Sequence, residues 1–184
     1  MLLTIQVNDA IALEPLTDSH AGPLLQLVNS NREYLRQWLP WVDHMQTVDD
    51  FKSYINRCKK QEDEGTDYSY VIVSGSAVVG RIGIHYIAKQ NKFGAIGYWI
   101  GEEFTGKGIM TKACRALIEV CFIHLQLNRI EIKCATGNYK SAAIAERLNF
   151  TKEGVMRQAE WVNGHYVDLN LYALLKDDWQ PKDN

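Results

Sequence analysis

Residues 95–116 read AIGYWIGEEFTGKGIMTKACRA, and the rest of the chain is interpreted outward from this stretch. An apolar segment from Ile96 to Ile100, typical of a strand, is followed by a loop with Gly106 and Gly108 and then by a helical pattern. The first N–H groups of a helix have no intrahelical acceptor, and the helix dipole adds positive charge there. Because the glycines leave the approach clear, the stretch predicts a phosphate-binding loop. An ordinary tight turn between strand and helix is the alternative.

Two kinds of phosphate loop must be distinguished here. Lys107 adds a cation to the loop and Thr111 adds a hydroxyl. Residues 101–107 match the first seven positions of the P-loop of nucleoside triphosphatases, but the eighth, which needs Ser or Thr for magnesium, is Gly108. Two glutamates in the loop would also repel a triphosphate. The sequence therefore argues against a nucleoside triphosphatase.

Composition limits the class of protein. The chain has 184 residues, 46% of them apolar and 23% charged, which suits one soluble domain over residues 1–184. A net charge of −2 gives no signal for direct nucleic-acid binding. No apolar run approaches the roughly 18 residues of a membrane span, and the N-terminus lacks the pattern of a signal peptide. We therefore expect a cytoplasmic protein that does not insert into membranes.

Cysteine and histidine spacing argues against a disulfide framework or a metal site. The four cysteines lie in apolar patterns without short paired spacings, so they are predicted to be buried free thiols, with a catalytic cysteine as the alternative. The five histidines are scattered without ligand spacing, so no metal is predicted. The cysteines are Cys58, Cys114, Cys121 and Cys134, and the histidines are His20, His44, His85, His124 and His165.

Helix and strand patterns follow one another along the whole chain. Alternation and turn residues predict strands at 2–7, 11–16, 68–73, 77–87, 93–100, 129–136, 155–162 and 165–175. Helical periodicity and capping residues predict helices from Thr17 or Asp18 to Val28, over 31–39, from a Thr47 cap to Gly65, over 110–125 and over 141–148. This order predicts an α/β (α+β) fold with a mixed, mostly antiparallel central sheet and helices on both faces.

Two motifs and the order of elements resemble the GNAT N-acetyltransferases. Residues 105–110 fall on the Arg/Gln-x-x-Gly-x-Gly/Ala acyl-CoA loop of that family, and Gly108 matches its central glycine. Thr105 stands where Arg or Gln is usual, and Met110 where Gly or Ala is usual. The segment from Asn138 to Ser141, with the residues up to Phe150, is similar to the family's Asn-x-x-Ser/Ala…Gly-Phe segment. The element order is similar to the GNAT fold across nearly the whole chain.

A third motif lies in the predicted terminal hairpin. RQAEWVNG at 157–164, with DLNLY at 168–172, resembles the hairpin of the Rim-type N-terminal acetyltransferases of ribosomal proteins, closest to the type acting on the stalk protein's terminal serine. The resemblance implies the GNAT acyl-CoA N-acyltransferase fold and transfer of acetyl from acetyl-CoA directly to a primary amine. The first candidate for the acceptor is the N-terminal α-amine of a ribosomal protein, and a homodimer is a further family-level expectation. The alternatives are a small amine, such as a polyamine, amino acid or antibiotic, and a non-catalytic CoA-binding regulatory domain.

The resemblance also implies where acetyl-CoA binds. The pantetheine arm would lie along residues 98–100 like an added strand, in a splay beside the strand that contains Cys134, with a backbone N–H near Ile100 facing the developing oxyanion. The diphosphate would rest on residues 105–111. The cofactor-binding residues implied in this way are Tyr98, Trp99, Ile100, Thr105, Gly106, Lys107, Gly108, Ile109, Met110, Thr111, Asn138 and Ser141.

Glu160 is the candidate catalytic base. An α-amino group titrates near about 7.7–8.0, so a weak base suffices to deliver the neutral amine. If the Asn163-Gly164 turn has two residues, Glu160 pairs across from Val167, whose face is apolar, and its pKa should be raised. An edge-strand glutamate in solvent is the alternative.

Ser141 is the candidate group that hydrogen-bonds or protonates the departing thiolate, following the Rim-like pattern. The alternative is a helix N-cap, and Asn138 would either contact the pantetheine or only shape a turn. Many family members place a tyrosine acid at the position of Ala145, which leaves the leaving-group chemistry open. Three tryptophans are candidates for the acceptor entrance, with core packing as the alternative: Trp38, Trp41 and Trp161.

Overall fold

An eight-stranded sheet forms the centre of the computed structural model, which describes residues 3–180. The strands follow the order β1-β2-β3-β4-β5-β6-β8-β7 across the sheet. Neighbours are antiparallel except β5 and β6, which are parallel, so the predicted mixed sheet is confirmed. The strands are β1 (Ile5–Asn8), β2 (Ile11–Pro15), β3 (Tyr68–Ser74), β4 (Ala77–Ala88), β5 (Phe93–Ile100), β6 (Arg129–Ala135), β7 (Thr151–Val162) and β8 (His165–Leu175).

Within residues 3–180, five α-helices cover the two faces of this sheet, as predicted. Residues of α4 and α5 join one hydrophobic core with residues such as Ile82 and Ile132. Residues of α1, α2 and α3 form a second core on the opposite face with Val71 and Trp99. The helices are α1 (Ala21–Ser30), α2 (Arg32–Arg36), α3 (Val48–Glu64), α4 (Ile109–Ile123) and α5 (Tyr139–Arg147).

The parallel pair of strands separates towards one end. The ladder between β5 and β6 runs from Phe93 opposite Arg129 to Ile96 opposite Ile132 and stops there. On its other side β5 stays paired with β4 as far as Ile100. One backbone edge of residues 97–100 is therefore free to pair with an extended ligand, which is the splay that the resemblance implied.

The terminal hairpin has the predicted two-residue turn. Asn163 and Gly164 have φ of 48° and 84°, both in the left-handed region that such turns require. Glu160 consequently lies opposite Val167, as predicted. A bulge interrupts the ladder just before Glu160: Gln158 has φ of 49°, and its N–H donates to the Asp168 carboxylate at 2.8 Å. This unpredicted bulge helps to set the direction in which Glu160 points.

Several element boundaries differ from the predictions. Strand β1 begins at Ile5, and Leu2, which was placed in it, lies outside the described residues. A 3₁₀ turn (Asp18–His20) precedes α1, and α2 ends at Arg36 rather than at residue 39. Strand β7 begins at Thr151, four residues before the predicted start, because its polar first residues pair with β8 without being buried.

The junction between α1 and α2 is attached to the loop after β5. Asn31 is buried, its side-chain oxygen accepts the backbone N–H of Glu102 at 2.7 Å, and its amide donates to the Leu27 carbonyl at 3.0 Å. We expect Asn31→Ala to lower the free energy of unfolding by about 1–3 kcal/mol, because two hydrogen bonds at a buried position are lost. Urea unfolding measures this. Ser30→Ala, which removes an exposed hydroxyl one residue earlier, is the matched control; an equal loss in both variants would contradict the prediction.

Candidate functional site

A cavity of about 800 Å³ lies at the open end of β5, between α2, α4 and α5. Its size is within the usual range of ligand-binding clefts. Of the predicted cofactor-binding residues, all but Lys107 line it: Tyr98, Trp99, Ile100, Thr105, Gly106, Gly108, Ile109, Met110, Thr111, Asn138 and Ser141. The structure thus brings together two segments that are almost 30 residues apart in the sequence.

The glycine loop presents free backbone donors to this cavity. Gly106 and Gly108 both have φ of 73°, and a Cβ at either position would meet no atom within 4 Å. No side chain caps α4, and within the described chain none of the N–H groups of residues 106–111 donates to a protein acceptor. Several amide hydrogens therefore face open space at a helix N-terminus, which is the arrangement that binds a phosphate.

The cations of the cavity differ from the predicted one. Lys107 folds back over the Phe104 ring, with its amine 5.5 Å from the ring centroid, and does not line the cavity. Lys112, Lys140 and Arg147 do line it. Each of these residues lies on a helix, and the direction of its side chain depends on how α4 and α5 pack. The sequence pattern alone therefore did not identify them. Together they make the wall beside the glycine loop positive.

Ser141 lies inside a small group of polar side chains at the start of α5. The N-cap of this helix is Asn138, whose side-chain oxygen accepts the N–H of Ser141 at 3.1 Å, so the alternative interpretation of Ser141 as a cap is wrong. The Ser141 hydroxyl lies 3.0 Å from the Tyr98 hydroxyl. Burial holds the pKa of Tyr98 well above its usual value, so this phenol keeps its proton near neutral pH. The sequence did not predict this role for the Tyr98 side chain.

Glu160 is partly buried on β7, and burial raises the pKa of its carboxyl. A raised pKa was predicted because Glu160 was expected to pair with Val167 on an apolar face of the hairpin, and the two residues do pair. Glu160 does not itself line the cavity. The tip of its hairpin is tied to α2, because the Asn163 side-chain amide donates to the Arg36 carbonyl at 2.5 Å, and α2 supplies one wall of the cavity.

The three candidate tryptophans lie in three different environments. Trp38 lines the cavity and its ring lies over Gly137, where an added Cβ would be 3.7 Å away. Trp41 is partly buried against Trp99 beside the second core, with ring centroids 5.7 Å apart, and does not line this cavity. Trp161 is 54% exposed on the hairpin. The Trp99 ring also points into the second core, which leaves mainly its backbone for the splay.

Other expectations concern cysteines, metals and membranes. All four cysteines are free and buried, as predicted. Within residues 3–180, no group of three His, Cys, Asp or Glu side chains is arranged to hold a metal ion. In the same range, no helix is both long and apolar enough to cross a membrane.

Comparison with known families decides the classification. The family model described as an acetyltransferase (GNAT) domain matches residues 11–151. The chain belongs to the GNAT acetyltransferase family. This GNAT protein is therefore an acetyl-CoA-dependent N-acetyltransferase with the GNAT fold, as the sequence motifs indicated, and acetyl-CoA is its cosubstrate.

This GNAT protein is similar to Rim-type enzymes and to one self-immunity acetyltransferase. The ribosomal-protein-serine acetyltransferase of Escherichia coli is 33% identical over 177 residues, covering 96% of this chain and 99% of that one. A solved structure of RimL, the ribosomal L7/L12 alpha-N-protein acetyltransferase, holds coenzyme A disulfide-bonded to a cysteine; it is 33% identical, with a TM-score of 0.92 and coverage of 96% and 99%. The microcin C7 self-immunity acetyltransferase MccE, solved with acetyl-CoA and AMP, is 32% identical, with a TM-score of 0.88 and coverage of 92% and 94%.

Proposed function

We propose that this GNAT protein acetylates the N-terminal α-amine of a ribosomal protein. The observation that carries the proposal is the terminal hairpin, which combines the Rim-like motif, a partly buried Glu160 with a raised pKa, and a link to the cavity wall through Asn163. The E. coli relative named for ribosomal-protein serine supports the same acceptor class. We place the enzyme in the cytoplasm, where such an acceptor is synthesised.

In the proposed reaction, the amine nitrogen attacks the thioester carbonyl carbon, the C–S bond breaks and an amide forms. Glu160 accepts the amine proton, directly or through water, and its raised pKa brings it closer to that of the amine. A backbone N–H near Ile100 stabilises the oxyanion. No covalent enzyme intermediate is needed, because a free amine is nucleophilic enough to attack a thioester.

The leaving thiolate is stabilised or protonated by Ser141 in this proposal. Tyr98 has a single hydroxyl proton, which it can donate to the Ser141 hydroxyl or to the Ser141 carbonyl, 3.2 Å away. When Tyr98 donates to the hydroxyl, the proton of Ser141 is free to point at the thiolate. Cys134 lies on β6, the strand beside the splay, and burial raises the pKa of its thiol.

The proposed coenzyme contacts follow the cavity. Residues 97–100 offer their free backbone edge to the pantetheine arm, and the amides of residues 106–111 hold the diphosphate. The cations that line the cavity, Lys112, Lys140 and Arg147, add attraction for the phosphates. Trp38 and Trp161 are the proposed acceptor contacts, and no metal or nucleic acid takes part.

We also propose that residues 1–184 form one domain and that the protein is a homodimer. Support for an interface comes from exposed apolar side chains on the hairpin, among them Val155, Met156 and Tyr166. Light scattering after size-exclusion chromatography measures the oligomeric state. A monomer at micromolar concentration would overturn the dimer and leave the activity unaffected.

Mass spectrometry of protein N-termini tests the acceptor. Cells that contain this chain are compared with cells that lack it, and one or a few ribosomal proteins are expected to lose their N-terminal acetyl group in the second set. A panel with the purified enzyme then compares the matching N-terminal peptide with the same peptide blocked at its α-amine. Turnover of small amines alone would overturn the ribosomal acceptor.

A small-molecule amine is the second candidate acceptor. It is favoured by the exposed ring pair of Trp161 and Tyr166, whose centroids are 4.7 Å apart in an edge-to-face arrangement, because an open aromatic surface can stack a flat ring. MccE, which was solved with AMP, shows that a protein of this family can bind a nucleotide as well as acetyl-CoA. Polyamines, amino acids and amine-bearing antibiotics in the same panel test this candidate.

Substitutions at Ser141 and Tyr98 test the proposed leaving-group chemistry. We expect Ser141→Ala to reduce kcat by about 100-fold, because the thiolate loses its donor, and Tyr98→Phe to reduce it by a smaller factor, because the ring remains but Ser141 is no longer oriented. Affinity for coenzyme A should change little in both. Ser53→Ala, which alters an exposed serine on α3, is the control. Wild-type kcat in Ser141→Ala would move the role to another group.

A further inference from the structure

A second cavity lies on the opposite face of the sheet from the glycine loop at residues 105–111. It has a volume of about 320 Å³ and is enclosed by α3, β4 and the chain around Trp41. Phe51, Trp41 and Trp99 give it apolar walls, and Trp99 also lines the coenzyme cavity. Trp99 is thus common to the two cavities, and all their other lining residues differ.

The floor of this second cavity is a buried polar network. The Arg81 guanidinium donates to the Ser69 hydroxyl at 2.7 Å and lies 3.4 Å from Nε2 of His85, while Nδ1 of His85 is 2.6 Å from the Asp67 carboxylate. Since arginine only donates, Nε2 is the acceptor and the imidazole proton sits on Nδ1, where it is donated to Asp67. The network therefore runs in one direction, from Arg81 through His85 to Asp67.

Two glycines make room for this network. A Cβ at Gly83 would lie 3.0 Å from Nε2 of His85, and a Cβ at Gly97 would lie 3.3 Å from its Cδ2. Side chains at these positions on β4 and β5 would push the imidazole away from Arg81 and Asp67. The network is consequently built into the sheet, and it holds the Arg81 guanidinium in one place.

Positive charge exceeds negative charge around the cavity. Arg57 and Arg81 both stack on the Tyr54 ring, with their guanidinium carbons 5.8 Å and 5.2 Å from its centroid. Neither forms a salt bridge with a carboxylate of the described residues, and Asp67 is already engaged by His85. Nε of Arg81 is buried and has no hydrogen-bond partner in the described chain. Two arginines and one carboxylate leave a net positive charge at an aromatic-walled opening.

We propose that this cavity, the Arg57/Arg81 pocket, binds a carboxylate carried on a short apolar or aromatic body. The carboxylate pairs with the exposed parts of the two guanidinium groups that line the cavity, and the body packs on Trp41 and Phe51. The volume is near the lower end of the range for ligand sites, so the body is small. The ligand is either a free organic acid or an acidic side chain of the acceptor polypeptide.

Titration with phenylacetate tests the pocket, and phenylacetamide is the uncharged control of the same shape. Phenylacetate is expected to bind in calorimetry, and in NMR spectra to shift the indole N–H signals of Trp41 and Trp99, assigned by Trp→Phe substitution, while that of Trp179 stays in place. Equal binding of acid and amide, or shifts elsewhere only, would overturn the proposal.

Variants of the two arginines test which guanidinium groups bind the carboxylate of phenylacetate. Arg57 is exposed, so Arg57→Gln should fold normally and bind phenylacetate about tenfold more weakly, and Arg81→Gln should bind it more weakly still. Arg115→Gln is the matched control, since Arg115 also stacks on an aromatic ring, that of Trp179, but lies outside the pocket. Unchanged affinity in Arg57→Gln would overturn the proposal even if Arg81→Gln fails to fold.

Steady-state kinetics distinguish the two sources of the carboxylate. If it belongs to the acceptor, phenylacetate competes with an acidic acceptor peptide, and the KM advantage of that peptide over its Asn/Gln counterpart disappears in Arg57→Gln. If it is a free acid, phenylacetate binds without competing. Binding without competition would support the Arg57/Arg81 pocket whether or not the acceptor is a ribosomal protein. If phenylacetate binds both arginine variants as tightly as the wild type, the pocket proposal is wrong, and the proposed ribosomal acceptor is unaffected.

Discussion

Glu160→Gln is expected to reduce kcat for amine acetylation by about 100-fold or more, with little change in the affinity for coenzyme A. The glutamine keeps the shape of the side chain but cannot accept the amine proton, and general base catalysis is typically worth about 10²–10⁴ in rate. Steady-state kinetics with a saturating amine acceptor measures the loss. Glu153→Gln is the matched control, since it removes the same charge from the same strand at an exposed position paired with Arg129.

The pH dependence of the same variant provides a second readout. Burial raises the pKa of Glu160, and the base works only when deprotonated, so wild-type activity should fall as pH decreases through this raised pKa. A carboxyl whose pKa is higher in the folded than in the unfolded state binds protons more tightly when folded, so its contribution to stability decreases as pH rises between the two values. In Glu160→Gln, the residual activity should therefore no longer fall as pH decreases through this range, and the free energy of unfolding at neutral pH should not decrease. If the activity of the variant falls at low pH just as that of the wild type does, another group is the catalytic base.

Gly108→Ala is expected to weaken coenzyme A binding by about 10–100-fold. Gly108 lines the cavity, and the added methyl group, which meets no protein atom, is expected to take up space beside the amides of residues 106–111. Its φ of 73° also adds strain, because only glycine adopts this region without cost, so stability should fall by about 1–2 kcal/mol. Calorimetric titration with coenzyme A and thermal unfolding measure the two effects.

Gly75→Ala separates strain from obstruction. Gly75 lies in the turn between β3 and β4 with φ of 63°, and a Cβ there also meets no atom within 4 Å. The two variants should lose similar stability, whereas only Gly108→Ala should lose affinity for coenzyme A. If both bind coenzyme A equally well, the diphosphate does not rest on this loop.

Much of the fold could be predicted where local chemistry settles the structure. Strands β5 and β8 have the predicted bounds: Gly101 directly follows β5, and the Asn163-Gly164 turn directly precedes β8. Helix α3 was predicted from its ends: Thr47 accepts the N–H of Asp50, and Gly65 has φ of 69°. The early part of β7 and the short α2 were mispredicted, because the pairing of β7 with β8 and the packing of α2 depend on distant parts of the chain.

The candidate site shows the same division. The opposition of Glu160 and Val167 followed from counting across a two-residue turn, but the bulge at Gln158 depends on a bond to Asp168 across the hairpin. Asn138 and Ser141 are both good capping residues, and sequence alone could not say which one caps α5. The fold of Lys107 onto Phe104 and the contact of Tyr98 with Ser141 are tertiary, and no periodicity reports them.

The free edge of residues 97–100 restricts which thioesters suit this enzyme. A strand edge recognises alternating amide donors and acceptors, whatever molecule carries them. Pantetheine has two amide groups along its arm, so it can act there as a short piece of polypeptide. A thioester that keeps the acetyl group but lacks this arm would leave the edge unpaired, and only the proposed N–H near Ile100 would remain to orient its carbonyl towards the incoming amine.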